Sequence, residues 1–235
     1  VVDTVGPLAT MWRSVYRKAS EAAAVRMADL LRDHVYLFHR DAGGGGGAGW
    51  VLLADRTLAA AEEVFFTGIA QTYRDLRIVL DGRATGTGVA SGDVRMQLGS
   101  AALGGGVDTA NTAYRSTLHY AQLGSDSHGL GAAAGGTQNR DYYALVGSVP
   151  GELATDAGAT GVIDLTLYHY TLTDRHKRFF ALCTLTGDQT KGAQTRHAAG
   201  EWRSTAAVTR VNLYAPSGDG WAAGTRARLY GWTDG

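Results

Sequence analysis

The sequence predicts a mainly β chain, an antiparallel jelly-roll-like sandwich, with an amphipathic α-helix at its N-terminal end. Three observations carry this. Before Gly43 apolar residues recur every three or four positions, beyond Trp50 they alternate with polar ones, and between the two regimes stands the run Gly43 to Gly47. The first spacing puts apolar groups on one stripe of a helix, and alternation puts them on one face of a strand.

The helix is read over residues 7–32. Pro7 suits a first turn, where a missing N–H loses no partner. Leu8, Met11, Trp12, Val15, Ala19, Ala22 and Ala23 make one stripe, which continues with a slipped phase through Met27, Leu30 and Leu31. Arg13, Arg17, Lys18, Glu21, Arg26 and Asp29 fill the remainder. A helix so divided needs an apolar surface to lie on. Leu8, Met11, Trp12, Val15, Leu30 and Leu31 are therefore the candidate anchor or interface residues, against sister copies or another protein. No heptad repeat is sustained long enough to choose between the two. The five successive glycines have many accessible backbone states and no side chains to pack. The expected organisation is a helical anchor or oligomerisation segment over 1–42, a glycine hinge over 43–49 and a β-sandwich domain over 50–235.

Within that domain, β-branched and aromatic runs separated by Gly, Asp and Ser clusters mark strands at 50–54, 63–66, 75–83, 93–98, 113–121, 142–149, 162–170, 178–186, 206–214 and 225–231. At 75–83, Leu76, Ile78 and Leu80 share one face while Arg77, Val79 and Asp81 share the other. At 162–168, Ile163, Leu165 and Leu167 oppose Asp164, Thr166 and Tyr168. Strands of this kind belong to antiparallel sheets covered on one face. About ten of them at such spacing suit a doubled sheet. Residues 101–111, 124–140 and 187–203, rich in Gly, Ala, Ser, Thr and Asp, are expected to be long loops and the main source of surface contacts.

Composition removes several function classes. The 22 basic and 22 acidic residues cancel, so nothing in the total charge attracts a polyanion and no nucleic-acid partner is expected. No stretch reaches the ~18 apolar residues of a membrane-spanning helix, and no basic-then-apolar leader opens the sequence, so neither membrane insertion nor secretory processing is expected. The lone cysteine, Cys183, among Phe179, Phe180, Leu182 and Leu185, reads as a buried core thiol and suits assembly in a reducing cytoplasm.

The sequence contains no recognisable catalytic, cofactor-binding or metal set. Asp126-Ser127-His128, His169 and Asp174-Arg175-His176 are the nearest histidine constellations, and none has a metal-ligand spacing. Gly86 to Gly92 leads from strand to strand and lacks the helix N-terminus that a phosphate loop requires. Asp93, Asp126, Asp141, Asp156, Asp164 and Asp188 could supply a glycosidase pair, although Asp at turns ordinarily serves the local backbone. Among the aromatics Tyr142, Tyr143, Tyr168, Tyr170, Trp202 and Trp221, the surface-contact candidates are Tyr142, Tyr143, Trp202 and Trp221. They would stack on a sugar or pack against a second subunit.

Three stretches carry a resemblance. They are Phe66-Thr67-Gly68-Ile69-Ala70-Gln71-Thr72-Tyr73 leading into the strand that ends at Gly82-Arg83; Asp93-Val94-Arg95-Met96-Gln97-Leu98 with the later Asn111-Thr112-Ala113-Tyr114; and Ala207 to Tyr214 with Asp219-Gly220-Trp221 and the closing Ala227-Arg228-Leu229-Tyr230-Gly231. Together, from about Trp50 to Trp232, they resemble a group of small β-rich virion proteins of tailed bacteriophages, described as head-fibre, capsid decoration or minor tail proteins. In these motifs Tyr73 and Tyr230 read as packing aromatics, and Gly82 and Gly224 as turn glycines. The resemblance implies a structural, non-enzymatic protein assembled in the host cytoplasm and exposed on the particle, most simply as capsid decoration or head fibre. Its expected partners are its own copies, as a homotrimer, and other virion proteins such as the major capsid or tail proteins. The alternatives are a tail-associated protein that binds a host cell-surface glycan and, outside this class, a polysaccharide-degrading enzyme.

Overall fold

A computed structural model describes residues 48–59, 62–85, 91–104, 106–110, 113–122, 131–133, 137–138, 143–151, 159–188, 192–215 and 220–234. The predicted helix, its six anchor residues and the glycine run lie outside these. The strands belong to one compact unit, Trp50–Gly235.

In chain order the strands are β1 (Gly49–Thr57), β2 (Val64–Thr67), β3 (Leu76–Gly82), β4 (Ser91–Gly99), β5 (Tyr114–Gln122), β6 (Gly131–Ala133), β7 (Thr137–Gln138), β8 (Ala144–Pro150), β9 (Gly161–Tyr168), β10 (Lys177–Asp188), β11 (Gly192–Trp202), β12 (Arg210–Tyr214) and β13 (Arg226–Thr233). They form two antiparallel sheets. One has the order β1-β13-β3-β9-β10-β11-β5-β6, with β7 also on β5, and the other the order β2-β12-β4-β8. The pairing is nested: first strand with last, β2 with β12, β3 with β9, β4 with β8. Past β9, the strands β10, β11 and β5 lengthen the larger sheet.

Alternation builds the core as expected. Leu76, Ile78 and Leu80 of β3 lie in register with Leu167, Leu165 and Ile163 of β9, all buried. Opposite them Val64, Phe66, Val94, Met96, Leu98, Val211 and Leu213 from the smaller sheet join the same apolar cluster. Each such side chain contributes roughly 1.5–3 kcal/mol. The end strand β8 is buried along its whole length and packs against β5, β9, β10 and β11. Its Leu145 N–H donates to the Ser116 hydroxyl of β5 at 3.1 Å. A strand edge that would otherwise expose unpaired amides is thus covered by the extension of the other sheet.

Each of the ten strands expected from the sequence has a counterpart, with shifted ends. The segment 206–209 is held by single backbone bonds, Val208 N–H to Tyr170 O and Thr209 N–H to Gly99 O, and pairing starts at Arg210. The larger correction is 187–203, expected as a loop, which is mostly the long strand β11 in the middle of the larger sheet. Residues 124–140 likewise contain β6 and β7, and 101–103 form a 3-10 turn. Gly224, at φ 86°, is the turn glycine expected. Gly82 instead ends a strand, where a Cβ would fall 2.4 Å from Thr225 Cγ2, so close packing and not a turn demands it.

Candidate functional site

Three of the four aromatic residues expected at the surface are buried. Tyr143, Trp202 and Trp221 are 3 %, 1 % and 0 % exposed, and Tyr142 lies outside the described residues. Each buried ring has a physical reason to be inside. The Trp202 indole N–H donates to Asp108 Oδ2 at 2.8 Å, and that of Trp221 donates to Leu213 O at 3.1 Å. Tyr143 is buried beneath the Arg95 guanidinium, which sits 4.5 Å from the ring centre. With β11 a strand, Glu201 and Trp202 must face opposite ways, and the tryptophan takes the core side.

A different cluster gathers at the turn between β9 and β10. Tyr168 on β9, Arg178 on β10 and Glu201 on β11 are neighbours in register across three strands, on the outer face of the larger sheet. The turn adds His169, Arg175 and His176, and together these six line an open cleft of about 560 Å³. His176 Nδ1 lies 3.8 Å from Glu201 Oε2. Arg175 makes a two-bond pair with Asp174 at 2.8 and 2.7 Å, both groups exposed. Burial, with the Asp75 and Asp164 carboxylates nearby, pushes the Tyr168 phenol up.

The turn is held from below by two charged groups. The carboxylate of Asp75, nearly buried, accepts the His169 backbone N–H at 2.8 Å and Arg74 Nε at 2.9 Å. This holds His169 at φ 51°, the only positive φ outside glycine among the described residues. Lys177, 0 % exposed, spends all three ammonium protons on carbonyls: Leu172, Arg175 at 3.0 Å and Thr205 at 3.0 Å. Burial pulls its pKa down. A preorganised floor of this kind fixes the groups above it.

The sequence had singled out His169 and the Asp174-Arg175-His176 run, and the fold brings His169, Arg175 and His176 into one cleft. No cluster of His, Cys, Asp and Glu fit to hold a metal occurs among the described residues. Arg178, Glu201, Asp75 and Lys177 were not picked out. Arg178 opens a polar strand edge, and Glu201 was hidden inside the supposed loop; only the alternation of β11 could have exposed it. Of the other acids, Asp164 pairs with Arg77 through two hydrogen bonds and Asp93 accepts from Ser148 Oγ and Arg196 Nη1 at 2.9 and 3.0 Å, so both serve the fold. Asp126, His128, Asp141 and Asp156 lie outside the described residues. Cys183 is buried as expected, its thiol raised by burial and exchanging two hydrogen bonds with the Ser148 backbone.

A second cavity of about 450 Å³ opens between β1 and β2, lined among others by Leu53, Phe65, Phe66, Ile69 and Tyr73. Arg56 and Arg210 stand over Phe65 at 4.8 and 5.5 Å. It is a mixed gap at the margin of the core, with Arg56, Thr67 and Tyr73 among its apolar side chains.

No family model matches the chain, and no curated protein matches it. Among solved structures it is compared with an aerolysin-like protein from Bombina maxima, at 12 % identity over 72 % of this chain and 89 % of that one, with a TM-score of 0.10. A likeness at that score carries no structural argument.

Proposed function

We propose that residues 50–235 are a jelly-roll module of a tailed-phage virion, exposed on the particle as capsid decoration or head fibre and acting by binding and not by catalysis. The observation that carries the reading is the nested strand order. Facing sheets β1-β13-β3-β9 and β2-β12-β4-β8 are what results when one long hairpin of eight strands is rolled up, with β10, β11 and β5 added beside it. Jelly rolls recur in viral capsid and lectin domains, which agrees with the motif resemblance. In this reading the N-terminal segment joins the module to sister copies, as a trimer, or to a capsid or tail protein. Fold alone does not fix a function, so particle composition is the test. Quantitative mass spectrometry of purified particles should find the chain, in hundreds of copies for decoration. Absence from particles overturns the proposal. Deletion of residues 1–42 should abolish incorporation.

The second reading within the same class, a tail-associated protein that contacts a host glycan, is favoured by one observation: the polar cleft over the β9–β10 turn. It predicts a handful of copies per particle.

A further inference from the structure

We infer that the cleft over the β9–β10 turn is a binding site for a saccharide that carries a carboxylate, a uronic-acid or sialic-acid type of residue. The inference goes beyond the particle proposal and does not depend on it.

Several charged groups in and under the cleft are already spoken for. Asp75 and Lys177 are committed to the floor, and Arg175 to Asp174. Among the described residues, neither the Tyr168 hydroxyl nor the Arg178 guanidinium makes a hydrogen bond or ion pair, although the two sit side by side in register. An exposed, uncommitted guanidinium at the centre of a cleft is a fork matched to a carboxylate, which it can hold through two parallel bonds. Beside it Tyr168, 40 % exposed, presents a flat ring suited to the C–H face of a pyranose. On the other side Glu201 and His176 can accept from and donate to sugar hydroxyls.

The mixture of charges narrows the ligand. The lining has two arginines and one glutamate. A phosphate- or sulfate-rich polyanion would be repelled by Glu201 within the same small cleft. A neutral sugar would leave Arg178 partly desolvated with no partner. A single carboxylate on a ring bearing hydroxyls satisfies both. The volume falls in the range of small-ligand sites. The preset turn, including His169 in its left-handed conformation, means that little ordering is needed on binding.

The test uses the full chain and titration calorimetry with the methyl glycosides of glucuronate, galacturonate and N-acetylneuraminate, with methyl glucoside and inorganic sulfate as controls. At least one of the three acids should bind in the millimolar range or tighter, with methyl glucoside about tenfold weaker or worse and sulfate failing to compete. Arg178→Gln should cost roughly tenfold or more in affinity for that acid, the loss of a charge-assisted pair. Arg226→Gln, at the far end of the same sheet face, should cost nothing. Both arginines are exposed, and unchanged thermal midpoints would establish that both variants fold. Binding of none of the three acids at millimolar concentration, equal competition by sulfate, or undiminished affinity in Arg178→Gln would each overturn the inference, whatever particle analysis finds.

Discussion

Strands β9 and β11 flank β10 in one sheet, yet they hold their places by different means. Toward the core β9 presents Ile163, Leu165 and Leu167, each buried and each filling volume between the sheets. On its core side β11 has Arg196, Ala198, Gly200 and Trp202, a mixture of charge, small residues and one large ring. A Cβ on Gly200 would lie 2.2 Å from Arg115 O and 2.6 Å from Phe179 Cζ, so the glycine is there to leave room. Arg196 reaches across to Asp93 and Ser148 of the other sheet. One strand is secured by what it fills, the other by clearance and polar tethers.

The sharpest way to break this contrast is Leu165→Ala, which should lower stability by about 3–4 kcal/mol in denaturant unfolding, the cost of lost burial plus a cavity. Next, Gly200→Ala should cost about 2–3 kcal/mol although it adds only a methyl group, because a backbone carbonyl stands in the way. A loss below about 0.5 kcal/mol, ordinary for a surface change, would mean that β11 can shift and that clearance is not what fixes it.

That contrast also explains what could be read in advance. The β3 and β9 cores were legible because a period of two in large apolar residues has one physical reading. In β11 the same period is written in Ala, Gly and Arg against Thr, His and Glu, whose meaning depends on Phe179 and Asp93 far away in sequence. Missing that period concealed one wall of the cleft, since Glu201 acquires a direction only once β11 is a strand. His169 and His176 were visible as residues, but their meeting depends on a turn braced by Asp75, 94 positions from His169. The local pattern around Trp202 and Trp221 does not reveal that their indoles find buried acceptors in Asp108 and the Leu213 carbonyl.

Smaller effects sharpen the comparison further. Lys177→Met keeps the bulk but strips three carbonyls of their donor, and should cost about 2 kcal/mol while loosening the β9–β10 turn. Hydrogen exchange should locate the change at residues 169–176 and 203–206. The smallest effect is alkaline. Burial pushes the phenols of Tyr114, Tyr170 and Tyr214 above their ordinary value of 10.0. Above pH 10 the unfolded chain has released protons that the native chain keeps. Their contribution is therefore fully present below pH 10 and is lost as pH rises through the native values. Thermal midpoints measured against pH should fall in that window, less steeply in Tyr114→Phe, which removes the titrating hydroxyl from the position on β5 that is in register with Trp202 of β11.

Cys183, the chain's one thiol, lies where the two sheets meet, hydrogen-bonded to Ser148 of the opposite sheet. While the sheets stay closed, crowded copies cannot crosslink through it and an alkylating reagent cannot reach it. The molecule thereby contains its own clock: pulse labelling of a single sulfur reads how often the sheets part, in solution or in an assembly, without an engineered probe.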